Sequence, residues 1–290
     1  MLTCKKLHEI LNAFPQEKIN SHVHTHLCDG RPDMTVANIA ARAEEKGLGL
    51  IILTPHFHKQ VSDGVTTLYT DSDEGIFVKL REEITAYERN GGTVRFLLST
   101  EADILGVDGT TALPVSETAL ECLDLVTPTM NYHPMLPLEA VAVTHIREVD
   151  DYHESGRYRE LEEKSGGHQQ ILRAVYEAET NAILNCPHPA MVGHFFISHT
   201  VPARKYSWFG AREEDMDMML KGVDQLLAAC ARTGAMFDLT GINFAAGVDE
   251  AKQREKDGYF YKFQRYTMDR CRELGIPYAF GTDAHGLGGI

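Results

Sequence analysis

The chain has 290 residues, 43% of them hydrophobic, and carries 28 Lys+Arg against 42 Asp+Glu for a formal net charge of −14. That apolar share supplies a sizeable core and excludes a disordered chain. The acidic balance disfavours extended nucleic acid as a partner, and no apolar run is long enough to span a bilayer.

At this length one α/β barrel is an ordinary outcome. Residues 2–14 place Leu7, Ile10, Leu11 and Phe14 on one side of a short amphipathic helix. The stretch lacks the apolar core of a signal peptide. Six cysteines (Cys4, Cys28, Cys122, Cys186, Cys230 and Cys271) are scattered without a Cys-x-x-Cys pair. Reduced thiols in a cytoplasmic protein are the expectation, with secretion the lesser alternative.

Apolar, β-rich runs then alternate with helical stretches. Strands are predicted at 19–24, 48–54, 94–100, 123–129, 182–186, 235–239 and 277–281, and helices at 36–46, 76–89, 168–180, 214–233 and 261–274. Gly47, Gly91, Gly92, Gly234 and Gly275 fall where helix C-caps belong. The strands are too apolar for a sheet with a wet face, which favours parallel strands covered on both sides. The alternation points to an α/β barrel, with an open doubly wound sheet as the second possibility. Two segments read as inserted loops within one domain of 1–290. These are the charged stretch 144–167, expected to form an exposed helix and loop, and the irregular stretch 195–212. Long loops beyond strand ends are where substrate contacts sit.

Ionisable residues gather at the C-terminal ends of the predicted strands. The densest motif runs His22-Val23-His24-Thr25-His26-Leu27-Cys28-Asp29-Gly30. It is followed by Thr54-Pro55-His56, Glu101-Ala102-Asp103, Asn131-Tyr132-His133-Pro134, Cys186-Pro187-His188-Pro189 and Thr282-Asp283-Ala284-His285. Side chains alternate along a strand, so His22 and His24 share one face and make a grip for a divalent metal. In a parallel barrel all the strand ends share one side, which brings distant motifs together. The set predicts a multinuclear metal centre, and so a hydrolase. Six imidazoles and three carboxylates suit Zn, Mn or Fe better than Ca or Mg.

The order of these motifs, from Ile19 to His285, resembles the polymerase and histidinol phosphatase (PHP) superfamily. The resemblance implies a distorted (β/α)7 TIM-like barrel whose two- or three-metal site, at the C-terminal strand ends, hydrolyses phosphoesters. Carried over motif by motif, it implies metal ligation by His22, His24, Asp29, His56, Glu101, His133, His188, Asp283 and His285. Asp283 and His285 are read as catalytic as well. The expected nucleophile is a metal-bound hydroxide at a trinuclear site, formed from water whose pKa falls to about 7. Three divalent ions and three carboxylates leave about +3, a cationic pocket suited to a phosphate dianion. The chain departs from the superfamily pattern at Pro55, where Asp is common, at His26, and at Asp238-Leu239-Thr240, where Glu-x-Asn is common.

Other residues carry two readings each. His58, His194 and His199 either contact substrate or donate protons, or else support a ligand or lie at the surface, the second pair being the expectation. Arg204 and Lys205, near Trp208, either clamp the phosphate or are solvated loop charges. Asp103 is expected to orient a ligand, and Cys28 and Cys186 to pack rather than to attack. His8, His145, His153 and His168 are expected at the surface. The leading functional expectation is hydrolysis of a small phosphomonoester, histidinol-phosphatase-like. Alternatives are a nuclease or cyclic phosphodiesterase of the same superfamily, an amidohydrolase-like C–N hydrolase, and a non-enzymatic metal-stabilised barrel. Oligomeric state is left open.

Overall fold

The computed structural model describes residues 1–57, 61–62, 67–68, 74–114, 116–131, 153–196, 209–240 and 259–290. Within them the strands are β1 (Ile19–Val23), β2 (Leu50–Leu53), β3 (His56–Phe57), β4 (Val61–Ser62), β5 (Thr67–Leu68) and β6 (Arg95–Leu98). There follow β7 (Glu101–Asp103), β8 (Thr127–Thr129), β9 (Met191–Val192), β10 (Met236–Asp238) and β11 (Tyr278–Ala279). The helices are α1 (Cys4–Asn12), α2 (Val36–Lys46), α3 (Gly75–Arg89), α4 (Glu117–Cys122), α5 (Arg157–Ser165), α6 (His168–Asn185), α7 (Met216–Thr233) and α8 (Tyr259–Leu274).

The strands form three small parallel sheets, ordered β1-β2-β6, β3-β7-β8 and β9-β10-β11, beside the antiparallel pair β4-β5. One continuous closed sheet is therefore not what the described residues form. The break between β2 and β3 falls at Thr54-Pro55, and a proline has no N–H to give to a ladder. Backbone bonds nevertheless cross the gaps. Ser21 N donates to Phe280 O at 3.1 Å, Met191 N to Val126 O at 2.9 Å and Gly193 N to Pro128 O at 3.1 Å.

Period-two alternation explains why the strands read as unbroken apolar runs. In β2, Leu50 and Ile52 join an inner cluster with Ile19, Leu97, Leu125, Met191, Met236 and Ala279, which Leu7 and Leu11 of α1 plug. Ile51 and Leu53 point the other way, into a layer with Ile39, Phe77 and Leu80 of α2 and α3. Both faces are buried, as parallel strands require. The helix ends follow local chemistry. Thr35 Oγ1 caps α2 by accepting from Asn38 N at 3.3 Å, and Gly47 ends that helix at φ 71°, a left-handed conformation that costs glycine little.

One predicted strand is not a strand. Residues 182–185 continue α6 and Cys186 caps it, the buried positions Ile171, Leu172, Val175, Ala178, Glu179, Ala182 and Ile183 keeping the helical repeat to the end. The strand of this unit comes later, at Met191–Val192. Part of the charged insertion is also less exposed than expected, since Tyr158 and Leu161 of α5 are buried and Tyr158 Oη donates to Phe209 O at 2.8 Å. Among the described residues no helix is long and apolar enough to cross a membrane.

Candidate metal centre

Each member of the centre stands on, or just past, a strand end. A register shift between Asn20 and Val23 of β1 falls where His22 and His24 are presented, a common place for a bulge beside a functional site. His56 on β3 is in register with Glu101 on β7. Asp283 follows β11 at φ 52°, and its N–H donates to His22 O at 3.0 Å. That positive φ in a residue with a Cβ is held by the surrounding bonds.

Glu101 lies at the middle. Its Oε2 is 3.1 Å from His22 Nε2, 3.4 Å from His24 Nε2 and 3.5 Å from His56 Nδ1, and its Oε1 is 2.8 Å from His194 Nε2. Asn131 Nδ2 donates to Glu101 Oε1 at 3.0 Å and to Asp103 Oδ1 at 2.9 Å, so Asp103 braces the centre through an amide. On one side, His24 Nε2 is 2.9 Å and His22 Nε2 3.7 Å from Asp283 Oδ1. On the other, Asp29 Oδ2 is 3.2 Å from His56 Nε2 and 2.8 Å from His285 Nε2, while Asp29 Oδ1 is 3.0 Å from His24 Nδ1. His24 belongs to both donor groups: His24, Asp29, His56 and His285, and His22, His24 and Asp283.

These spacings fit divalent ions. Four ligands about 2.1 Å from one tetrahedral ion lie about 3.4 Å from each other, close to the distances above. Two rings also face an acceptor on each side. His285 Nδ1 lies 2.9 Å from Asp283 O, which can only accept, while its Nε2 faces Asp29. His22 lies between Asp238 Oδ2, 3.0 Å from Nδ1, and Glu101. Such a ring must carry two protons or give one nitrogen to a cation. The buried ring of His24 is placed in the same way, with Nδ1 3.0 Å from Asp29 Oδ1 and Nε2 2.9 Å from Asp283 Oδ1.

Without metal, protons hold the cluster together. Burial opposes charge on His22, but hydrogen bonds to Asp238 and Glu101 outweigh it and raise its pKa to about 10. His24 is raised in the same way, its burial outweighed by Asp283 and Asp29, and His194 by Glu101. Asp29, Glu101 and Asp283 resist burial as anions and sit well below the usual carboxylate range because of their imidazole neighbours. Burial pushes the Cys28 thiol up, which suits a packing role.

The structure thus brings together His22, His24, Asp29, His56, Glu101, Asp283 and His285. It does not bring His188 to them. His188 precedes β9, where burial and the positive chain terminus lower its pKa. Leu2 N donates to Asp124 O ahead of β8 at 3.1 Å, so the terminus marks the opposite end of the strands. His194, two residues past β9 at φ 22°, reaches Glu101 instead. The displaced strand explains the exchange: moving it past Pro189 puts His188 before the strand and His194 after it. His26 turns away, 3.3 Å from Glu83 Oε1. His168 is no free surface group, since Nε2 is 3.1 Å from the buried Asp215. His58, His133, His145, His199, Arg204, Lys205 and Trp208 lie outside the described residues.

Sequence reasoning left the role of Asp238 open and did not single out Asn131. Asp238 is fully buried and bonded to four residues of the centre's surroundings. A lone acid inside the apolar run 235–239 was the available signal, because a buried carboxylate needs partners.

Fold and site together define an α/β protein with a histidine–carboxylate centre at its strand ends. No protein-family model and no curated protein sequence matches the chain. Solved structures do. A protein described as the histidinol phosphatase HisK of Listeria monocytogenes superposes with TM-score 0.57 at 15% identity, over 94% of this chain and 97% of that one. The histidinol phosphate phosphatase HisK of Lactococcus lactis, solved with zinc, L-histidinol and phosphate, gives TM-score 0.52 at 13% identity, over 93% and 87%. The likeness to these two proteins is one of fold.

Proposed function

We propose that this protein is a metal-dependent phosphoesterase acting on a small phosphomonoester, with two or three ions of Zn, Mn or Fe as cofactors. The observation that carries this reading is the donor spacing around His24. Two groups of imidazole and carboxylate atoms, each mutually within 4.8 Å, meet at that one ring. One group would be held by His24, Asp29, His56 and His285, the other by His22, His24 and Asp283, with Glu101 and His194 closing the inner side. His133 remains a proposed further ligand. When bound, such ions activate water and offset the charge that develops on a phosphoryl group.

The chain's own residues divide the work by exposure. His22, His24 and Glu101 are fully buried and exclude water from the inner side. Asp29 and His285 have side chains 43% and 42% exposed and form the rim by which substrate arrives. Nδ1–H of His285 donates a hydrogen bond to Asp283 O, which turns Nε2 toward the reacting side. We read the three sheets as one interrupted (β/α)7 barrel of a single domain. The bonds that bridge β1 to the segment after β11, and β8 to β9, support that reading, as does the inner cluster shared by strands of two of the sheets.

The lactococcal protein's complex with L-histidinol and phosphate supports a small phosphorylated substrate here. Arg204 and Lys205 are proposed to bind it. The deciding experiment incubates protein reconstituted with zinc or manganese with a panel of phosphorylated metabolites, an aryl phosphate, a cyclic phosphodiester and an amide. Release of phosphate from monoesters is expected. Amide hydrolysis without phosphate release would overturn the proposal.

A further inference from the structure

We propose that Asp238 is a positioning residue for the metal centre, one carboxylate that sets both the ring of His22 and the main chain of His194. The inference rests on the metal reading above. Oδ2 of Asp238 accepts from His22 Nδ1 at 3.0 Å and from His194 N at 3.1 Å. Those residues come from β1 and from the turn after β9, and both aim Nε2 at Glu101, at 3.1 and 2.8 Å. Asp238 is itself fixed. Ser21 Oγ donates to Oδ1 at 2.8 Å, Thr240 N donates to the same oxygen at 3.1 Å, and Thr240 Oγ1 lies 2.6 and 2.7 Å from the two oxygens.

Each bond has a specific consequence. A carboxylate at Nδ1 keeps the proton of His22 there and leaves Nε2 as the only nitrogen free for an ion. The bond to His194 N anchors a residue at φ 22°, where an L side chain is disfavoured and needs support. Asp238 touches neither Glu101 nor the exposed rim, so it acts through the two histidines. A carboxylate is required because an asparagine would set its amide donor either against the N–H groups of His22 and His194 or against Thr240 N–H and the Ser21 hydroxyl.

Zinc affinity of the intact chain, measured by chelator competition, tests this together with His22 protonation in zinc-loaded, 15N-histidine-labelled wild type. Asp238→Asn should weaken zinc binding about 10- to 100-fold, and His22 should carry its proton on Nδ1. A folded Asp238→Asn protein that binds zinc as tightly as wild type overturns the proposal. So does a zinc-loaded wild type with His22 protonated on Nε2, a result that needs no variant to fold. Wild type that takes up no zinc or manganese would instead overturn the metal reading itself.

Discussion

The rings of His24 and His285, one just past the first strand and one from the segment after the last, stack with centroids 4.0 Å apart and planes 14° from parallel. The chain's opening and closing motifs therefore meet in one donor group, next to Asp29 and His56. Because His24 serves both groups, its loss should empty both. His24→Ala is expected to lower phosphoesterase turnover by orders of magnitude and to reduce bound metal at both positions, with circular dichroism unchanged. His188→Ala, at the other end of the strands, should keep its metal and its turnover. Equal losses in the two variants would contradict the placement of His188.

The imidazole–carboxylate network sets opposite pH trends for metal-free and metal-loaded protein. The folded-state pKa of His22 is raised from 6.5 to about 10. Its contribution to metal-free stability is therefore complete below pH 6.5 and lost as pH rises toward 10. Asp29, Glu101 and Asp283 are shifted down, so their contributions are present above the usual carboxylate range and lost in acid. Metal-free protein should be most stable near pH 5–6.5. Metal must displace the imidazole protons, so the rise in Tm on adding zinc should grow from pH 6 to pH 8, with proton release measurable by calorimetry in buffers of different ionisation enthalpy. A zinc increment that shrinks over that range would refute the assignment.

Gly281 leaves room for the support of His22. A Cβ there would overlap Thr240 Oγ1 and lie 2.7 Å from His22 Cβ and 2.8 Å from Asp238 Oδ1. Gly281→Ala should cost about 1–3 kcal/mol in urea unfolding and weaken zinc binding as well. Wild-type stability and zinc affinity together would show that this packing does not matter.

Metal content and substrate size can be checked together. Elemental analysis after reconstitution should find two to three ions per chain, more than one tetrahedral site can take. A small phosphomonoester should be hydrolysed with higher kcat/KM than single-stranded DNA, because the net charge of −14 opposes a long polyanion. Arg204→Ala should raise KM and leave metal content unchanged. One ion per chain, or processive exonuclease activity exceeding every small ester, would refute these expectations.

Much of the fold was legible because burial imposes a period. Apolar runs announced β1, β2, β6 and β10, and α2 appears at the residues its Thr35 cap and Gly47 stop define. The sheets are more broken than the pattern implied. Hydropathy cannot register where a proline such as Pro55, or a strand of two residues such as Met191–Val192, interrupts the ladder.

Residue chemistry along the chain was sufficient to mark a histidine–carboxylate centre, since imidazoles and acids gathered after apolar strands have few other uses. Which histidine enters it was settled in three dimensions. His188 and His194 flank the same two-residue strand, and only the end of α6 at Asn185 determines which lies on the centre's side. Likewise Asp238 gains its partners from β1 and from the turn after β9, contacts at sequence separations of 216 and 44 that no local pattern encodes. Composition and periodicity report what a residue is and which face it takes. Convergence of distant strand ends arises only when the chain closes on itself and buried polar groups must find partners there.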